Sequence, residues 1–209
     1  GMLAIGLSPF LMNLCACFVV ILINRSLKMH GGDLAIGAYG IVNRVVFLFL
    51  MIVMGFNQGM QPIAGYNFGA RQFDRLVQGL KYTIFCGVTV TTIGFLVGQL
   101  FPRSIVYLFA TDAELVRVAV EGLRIVLMFF PVVGFQMVTS SFFQSIGMAK
   151  KAIFLSLTRQ LLFLIPSLLV LPHYFGTQGV WMSMPVADAI ATVVAAFMLS
   201  WQLKQLKKF

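Results

Sequence analysis

Asp188, in the run "MPVADAIATVV", is the one acid that lies clearly inside an apolar, helix-length segment of this 209-residue chain. An ionisable group in hydrocarbon is costly, so it marks an ion path, a proton relay or a buried pair. Asp188 therefore either takes up a coupling ion or proton itself or is neutralised by a cation. Arg44 and Arg159 are the candidate partners. Pairing is the expectation, because a carboxylate held by a guanidinium is both neutralised and hydrogen-bonded. Asn13, Asn43, Gln136, Thr139 and Ser140 are uncharged polar groups that lipid also penalises, so they are expected to face other helices or a central cavity.

Enzyme chemistry finds no footing. There is no glycine loop ending in Lys-Ser or Lys-Thr, no histidine pair at metal spacing and no Gly-x-Ser-x-Gly elbow. His30 and His173 fall between apolar runs, where a solvated histidine is the default, and Gly65 to Gly69 follow no strand that would make them a phosphate cradle. Cys15, Cys17 and Cys86 sit inside apolar runs and form no disulfide framework. Cys15 and Cys17 point about 200° apart on a helix, so they cannot share a metal. Neither a cofactor nor a metal is expected, and the chain is not expected to be an enzyme.

The elements that position these residues follow from composition. Hydrophobic residues make up 60% of the chain, charged ones only 10%, and the mean hydropathy is +0.96. A soluble domain carries about a quarter charged residues, so most of this surface must face a lipid bilayer. A bilayer-crossing helix needs about 20 apolar residues. Six such runs occur, near 3–26, 34–60, 76–100, 115–146, 153–171 and 180–203. They are continuous rather than alternating, which favours helices over barrel strands. The fold class expected is an all-α polytopic membrane protein, a single six-helix lobe over residues 1–209. No lysine or arginine precedes the first run, so it reads as a helix that stays rather than a signal peptide.

Lysine and arginine cluster on one side of the zigzag: Arg71, Arg75 and Lys81; Lys150 and Lys151; Lys204, Lys207 and Lys208. The opposite loops pair Lys28 with Asp33 and Arg103 with Asp112 and Glu114. Positive charge faces inward, so both chain ends are expected to be cytoplasmic in a cell inner (plasma) membrane. The formal net charge of +9 is explained by these loops against an anionic leaflet. Without aromatics interleaved among the basic residues, nucleic acid is not an expected partner. Arg25 is expected to reach back to the outer interface. "TDAELVRVAVEGLR" offers Thr111 or Asp112 as a helix N-cap, and Glu121 and Arg124, three apart, are expected to pair on one face.

The second run ends in "GFNQGMQPIAGYNFGARQFDR", Gly55 to Arg75. Gly55 and Gly59 share a helix face with Gln58 close by, and this face is expected to admit a neighbouring backbone. Pro62, Gly65 and Gly69 are expected to turn the chain sharply before Arg71.

These residues also carry a resemblance. "GFNQGMQPIAGYNFGARQFDRL" is similar to the segment joining the eighth and ninth helices of multidrug and toxic compound extrusion (MATE) transporters. "SSFFQSIGMAKKAIFLSLTRQ", Ser140 to Gln160, resembles that family's tenth-to-eleventh junction, and "GLSPFLMNL" its seventh helix. The resemblance spans nearly the whole chain in the right order. It implies the C-terminal six-helix lobe of a 6+6 transporter, in which two lobes flank a central cavity. Alternating access then exports amphipathic, often cationic, small molecules in exchange for Na+ or H+.

The NorM-type branch carries coupling acids on its seventh and tenth helices. The corresponding runs here hold Asn13 and Asn24, and Gln136, Thr139, Ser140 and Ser141, with no acid in the core of either. The chain thus resembles the DinF-like branch, which implies a coupling ion bound in the N-terminal lobe. Two readings from different classes follow: a transport half that needs an N-terminal lobe or a second copy of itself, and a non-transporting membrane lobe with a structural role. A flippase for lipid-linked substrates, from the same superfamily, is a third. An isolated lobe would expose its polar cavity face, so it is expected to dimerise face to face or to behave poorly in detergent.

Overall fold

The computed structural model describes the backbone of residues 2–206 and the side chains of residues 13–205. Lys207 and Lys208 of the basic C-terminal cluster, and most side chains of "GLSPFLMNL", lie outside the described residues. The described chain is helical throughout: α1 (Met2–Gly69), α2 (Phe73–Leu100), α3 (Pro102–Tyr107), α4 (Ala113–Leu127), α5 (Phe130–Ser145), α6 (Ala149–Leu157) and α7 (Ile165–Leu206). A π-helical segment, Thr158–Leu164, joins α6 to α7. Among the described residues there is no strand. The protein is an all-α membrane protein.

Two elements are too long for single crossings. Asn13–Gly69 and Ala149–Gln205 each hold 57 apolar-rich residues, about 85 Å of helix at 1.5 Å per residue, against a hydrocarbon core about 30 Å thick. Each contains a glycine with non-helical backbone, Gly32 (φ 68°, ψ −163°) and Gly176 (φ 57°, ψ −133°). Positive φ is cheap only where there is no Cβ, so the chain doubles back at these points. Ile23 and Leu27 before Gly32 share one apolar cluster with Ala35, Ala38 and Val42 after it. In the second hairpin Gly179 packs so closely on the Leu171 carbonyl and the Pro172 nitrogen that a Cβ would overlap them. Thr177 Oγ1 donates to the His30 carbonyl at 2.8 Å, tying the two hairpin ends together on one side of the lobe.

α4 and α5 meet at a 54° bend and together are long and apolar enough to cross a membrane. Pro131, in the first turn of α5, has no N–H for the Leu127 carbonyl, and its ring crowds that turn. With α2 and the two arms on either side of Gly32 and of Gly176, this bent pair makes six helical segments. Apolar packing divides into two clusters, one around Leu27, Leu123, Leu127 and Trp181 and one around Leu76, Leu80, Phe142 and Phe143.

The junction after residue 60 differs from the sequence expectation. α1 continues through Pro62 and Gly65 to Gly69, and the left-handed residue is Arg71 (φ 56°). Gln72 N–H donates to the Asn67 carbonyl at 2.9 Å and Arg71 N–H to the Phe68 carbonyl at 3.2 Å, a Schellman cap with Arg71 in the glycine position. The α5–α6 junction repeats this cap with Gly147 (φ 77°): Met148 N–H meets the Phe143 carbonyl at 2.9 Å and Gly147 N–H the Gln144 carbonyl at 3.2 Å. Gly55 and Gly59 are exposed, and a Cβ on either would meet open space, so among the described residues no backbone packs there. Close helix contact is made instead by Gly134 of α5, where a Cβ would stand 2.7 Å from the Gly87 carbonyl oxygen of α2.

Candidate functional site

Asp188, on the second arm of α7, is buried, and its Oδ1 accepts a hydrogen bond from Arg159 Nε at 2.5 Å. This is the one ion pair among the described side chains, and Arg159, not Arg44, makes it. Arg44 is exposed on the second arm of α1. Asp188 lies twelve residues beyond the Gly176 fold, about 18 Å along the helix, and Arg159 ten beyond the start of α6, about 15 Å. The two arms run in opposite directions, so the charges meet part-way along both. The pair is local to the lobe and needs no residue from outside it.

The π-helical turn positions Arg159. One extra residue per turn widens the helix there and offsets Arg159 and Gln160 from the regular stripe of α6; such turns recur at functional sites. Both side chains line a pocket of about 300 Å³ together with Asp188, Tyr39, Asn43 and Met184. The remaining wall is aliphatic or aromatic, from Val19 and Ile23 of the first arm of α1, Val42 and Leu50 of the second, and Phe130 at the α4–α5 bend. Gln160 Oε1 is buried with no hydrogen-bond donor among the described residues.

Of the remaining polar candidates, Asn43 borders this pocket, and Gln136, Thr139 and Ser140 sit in the packing of α5. Thr139 Oγ1 donates to the Phe135 carbonyl at 2.8 Å, and Ser140 Oγ lies 3.2 Å from Ser156 Oγ of α6. Asn13 is exposed. Asp112 is the N-cap of α4, its Oδ1 accepting from Glu114 N–H at 2.8 Å and Leu115 N–H at 3.2 Å. The expected Glu121–Arg124 pair does not form. Glu121 Oε1 instead accepts from Gln178 Nε2 at 2.6 Å, a residue that the α7 fold brings alongside. Gln160 and the π turn leave little signal in the sequence; their only trace is an arginine and a glutamine interrupting an apolar run.

The basic junctions share one end. Lys151 Nζ donates to Gln202 Oε1 at 2.6 Å and stands 4.7 Å from the Trp201 ring centroid, while Gly65 faces the Ser145 carbonyl. The ends of α1, α5 and α7 therefore lie together, opposite the His30–Thr177 contact.

Comparison with known proteins fits this arrangement. The family model described as MatE matches residues 5–169. The chain belongs to the MATE family. It is 28% identical over 195 residues to the multidrug export protein MepA of Staphylococcus haemolyticus, covering 93% of this chain and 42% of that protein. Its fold matches the outward-facing structure of a multidrug resistance MATE family transporter of the MOP superfamily, with a TM-score of 0.90 and 23% identity over 98% of this chain and 46% of that one. The inward-facing structure of such a transporter matches equally, with a TM-score of 0.90 and 23% identity over 99% of this chain and 48% of that one. This MATE-family chain thus spans less than half the length of the proteins it matches, and its family is one of membrane transporters rather than enzymes.

Proposed function

We propose that the chain is the C-terminal lobe of a cation-coupled multidrug efflux antiporter and lines half of a central substrate cavity. The observation that carries this reading is the pocket part-way along the helical arms, apolar on most sides and holding the ion pair of Asp188 and Arg159. Secondary transporters place substrate near the midplane at the interface of repeats. The equal match to outward-facing and inward-facing relatives supports movement of the lobe as a rigid body.

Asp188 is already held by Arg159, so the Na+ or H+ that drives exchange is assigned to the other six-helix lobe, as in the DinF-like branch. That lobe belongs to the same polypeptide, a separate chain or a second copy. The gathered basic ends, with Arg75, Lys151 and Lys204, favour a cytoplasmic position for both termini in a plasma membrane. Amphipathic small molecules are the proposed cargo.

The test is dye efflux from cells lacking their own exporters, comparing this chain alone, this chain with the N-terminal lobe of the MepA relative, and empty vector. Efflux with the partner lobe is expected. No efflux in any pairing, with both lobes present in the membrane, would overturn the transport reading in favour of a structural role.

A further inference from the structure

We propose that the pocket recognises zwitterionic amphipaths: Arg159 receives the anionic group, and Asp188 with Gln160 receives the cationic one. This rests on reading the pocket as part of the substrate path.

Three observations carry it. The ion pair is single-toothed, using only Nε and Oδ1. A guanidinium has five N–H donors and favours two parallel bonds to a carboxylate. Both terminal nitrogens of Arg159 and Oδ2 of Asp188 therefore remain for a ligand. The Arg159 side chain is 35% exposed and that of Asp188 10%, so the donor face is the more accessible and the acid sits behind it.

Gln160 Oε1 adds a buried acceptor with no donor, beside Arg159 in the same lining. A carbonyl oxygen left unpaired in a low-dielectric wall is costly, and an ammonium N–H is the kind of group that satisfies it. The formal charge of the lining is zero, one arginine against one aspartate. A net cation or a net anion would bring an uncompensated charge into this site, whereas a ligand carrying both charges meets a complement for each. Val19, Ile23, Val42, Leu50 and Phe130 then receive its apolar body.

The experiment uses the full chain in lipid nanodiscs and three probes of one skeleton: naphthylalanine (zwitterion), its methyl ester (cation) and its N-acetyl derivative (anion), with binding read by equilibrium dialysis at about pH 6, where the ester's ammonium is protonated and the carboxylates are ionised. The zwitterion is expected to bind about tenfold or more tightly than either derivative. Arg159→Gln should bring the zwitterion down to the level of the ester. Because a lone buried charge can prevent folding, the double variant Arg159→Gln/Asp188→Asn, neutral and nearly the same size, is measured in parallel; it should remain monodisperse and bind all three probes alike.

An ester that binds as tightly as the zwitterion, a preference that survives in the double variant, or binding of none of the three overturns the proposal. The efflux assay separates the two readings. Efflux with the partner lobe but no zwitterion preference sinks this inference alone, and the preference without efflux from any pairing sinks the transport reading alone.

Discussion

Gly134→Ala tests whether α2 and α5 are held together by backbone contact. A Cβ there would stand 2.5 Å from Thr91 Oγ1 and 2.7 Å from the Gly87 carbonyl oxygen. Ordinary carbon–oxygen contact is about 3.2 Å, so the helices must part by about half an ångström; a gap of that size forfeits about a quarter of the dispersion well for each facing atom pair. The same movement stretches the bond from Thr91 Oγ1 to the Pro131 carbonyl, already 3.3 Å long, beyond useful range. Overpacking of this kind costs about 1–3 kcal/mol, partly offset by about 1 kcal/mol of helix propensity gained by replacing glycine. With about 0.5–1 kcal/mol more for the stretched Thr91–Pro131 bond, the net expectation is a loss of about 0.5–3 kcal/mol, or about 1–12 °C in Tm for a chain of this size. Thermal unfolding in a single detergent, followed by circular dichroism, measures it. Gly55→Ala and Gly59→Ala are the controls, because their added methyl groups meet open space and gain only propensity. A Gly134→Ala protein as stable as wild type, or a Gly55→Ala protein that loses more, would refute the assignment of the close contact to α2 and α5.

Asp112→Ala should cost about 1 kcal/mol by orphaning two N–H groups of α4, and Asp112→Asn much less, as read by thermal unfolding. Arg71→Gly should stabilise the chain by about 1 kcal/mol, since arginine occupies a left-handed position that glycine adopts freely; an unchanged or lower midpoint would mean the arginine side chain compensates for its backbone. Lys151→Met and Trp201→Leu should show a coupling of about 0.5–2 kcal/mol in a double-mutant cycle if the ammonium over the indole helps to hold α6 against the end of α7.

The mutations divide along the line between local and long-range information. The apolar runs, their lengths and the basic junctions are legible in the sequence because the bilayer's thickness acts on each segment separately. The N-cap at Asp112 is equally local, since the residue bonds to N–H groups two and three positions on. Asp188 announced its need for a cation for the same reason: burial of a lone charge is prohibitive wherever the helix packs.

Only the tertiary structure chose between Arg44 and Arg159. That choice depends on which arms of α1, α6 and α7 are neighbours and on a π turn that rotates Arg159 and Gln160 into the pocket. It likewise moved the left-handed position from Gly69 to Arg71, where capping bonds to Asn67 and Phe68 offset the steric cost, and it gave Glu121 to Gln178 rather than Arg124. Hydropathy and spacing along one chain decide which segments leave water. Which side chains then meet is decided by contacts between residues far apart in sequence, and these exist only once the hairpins have closed at Gly32 and Gly176.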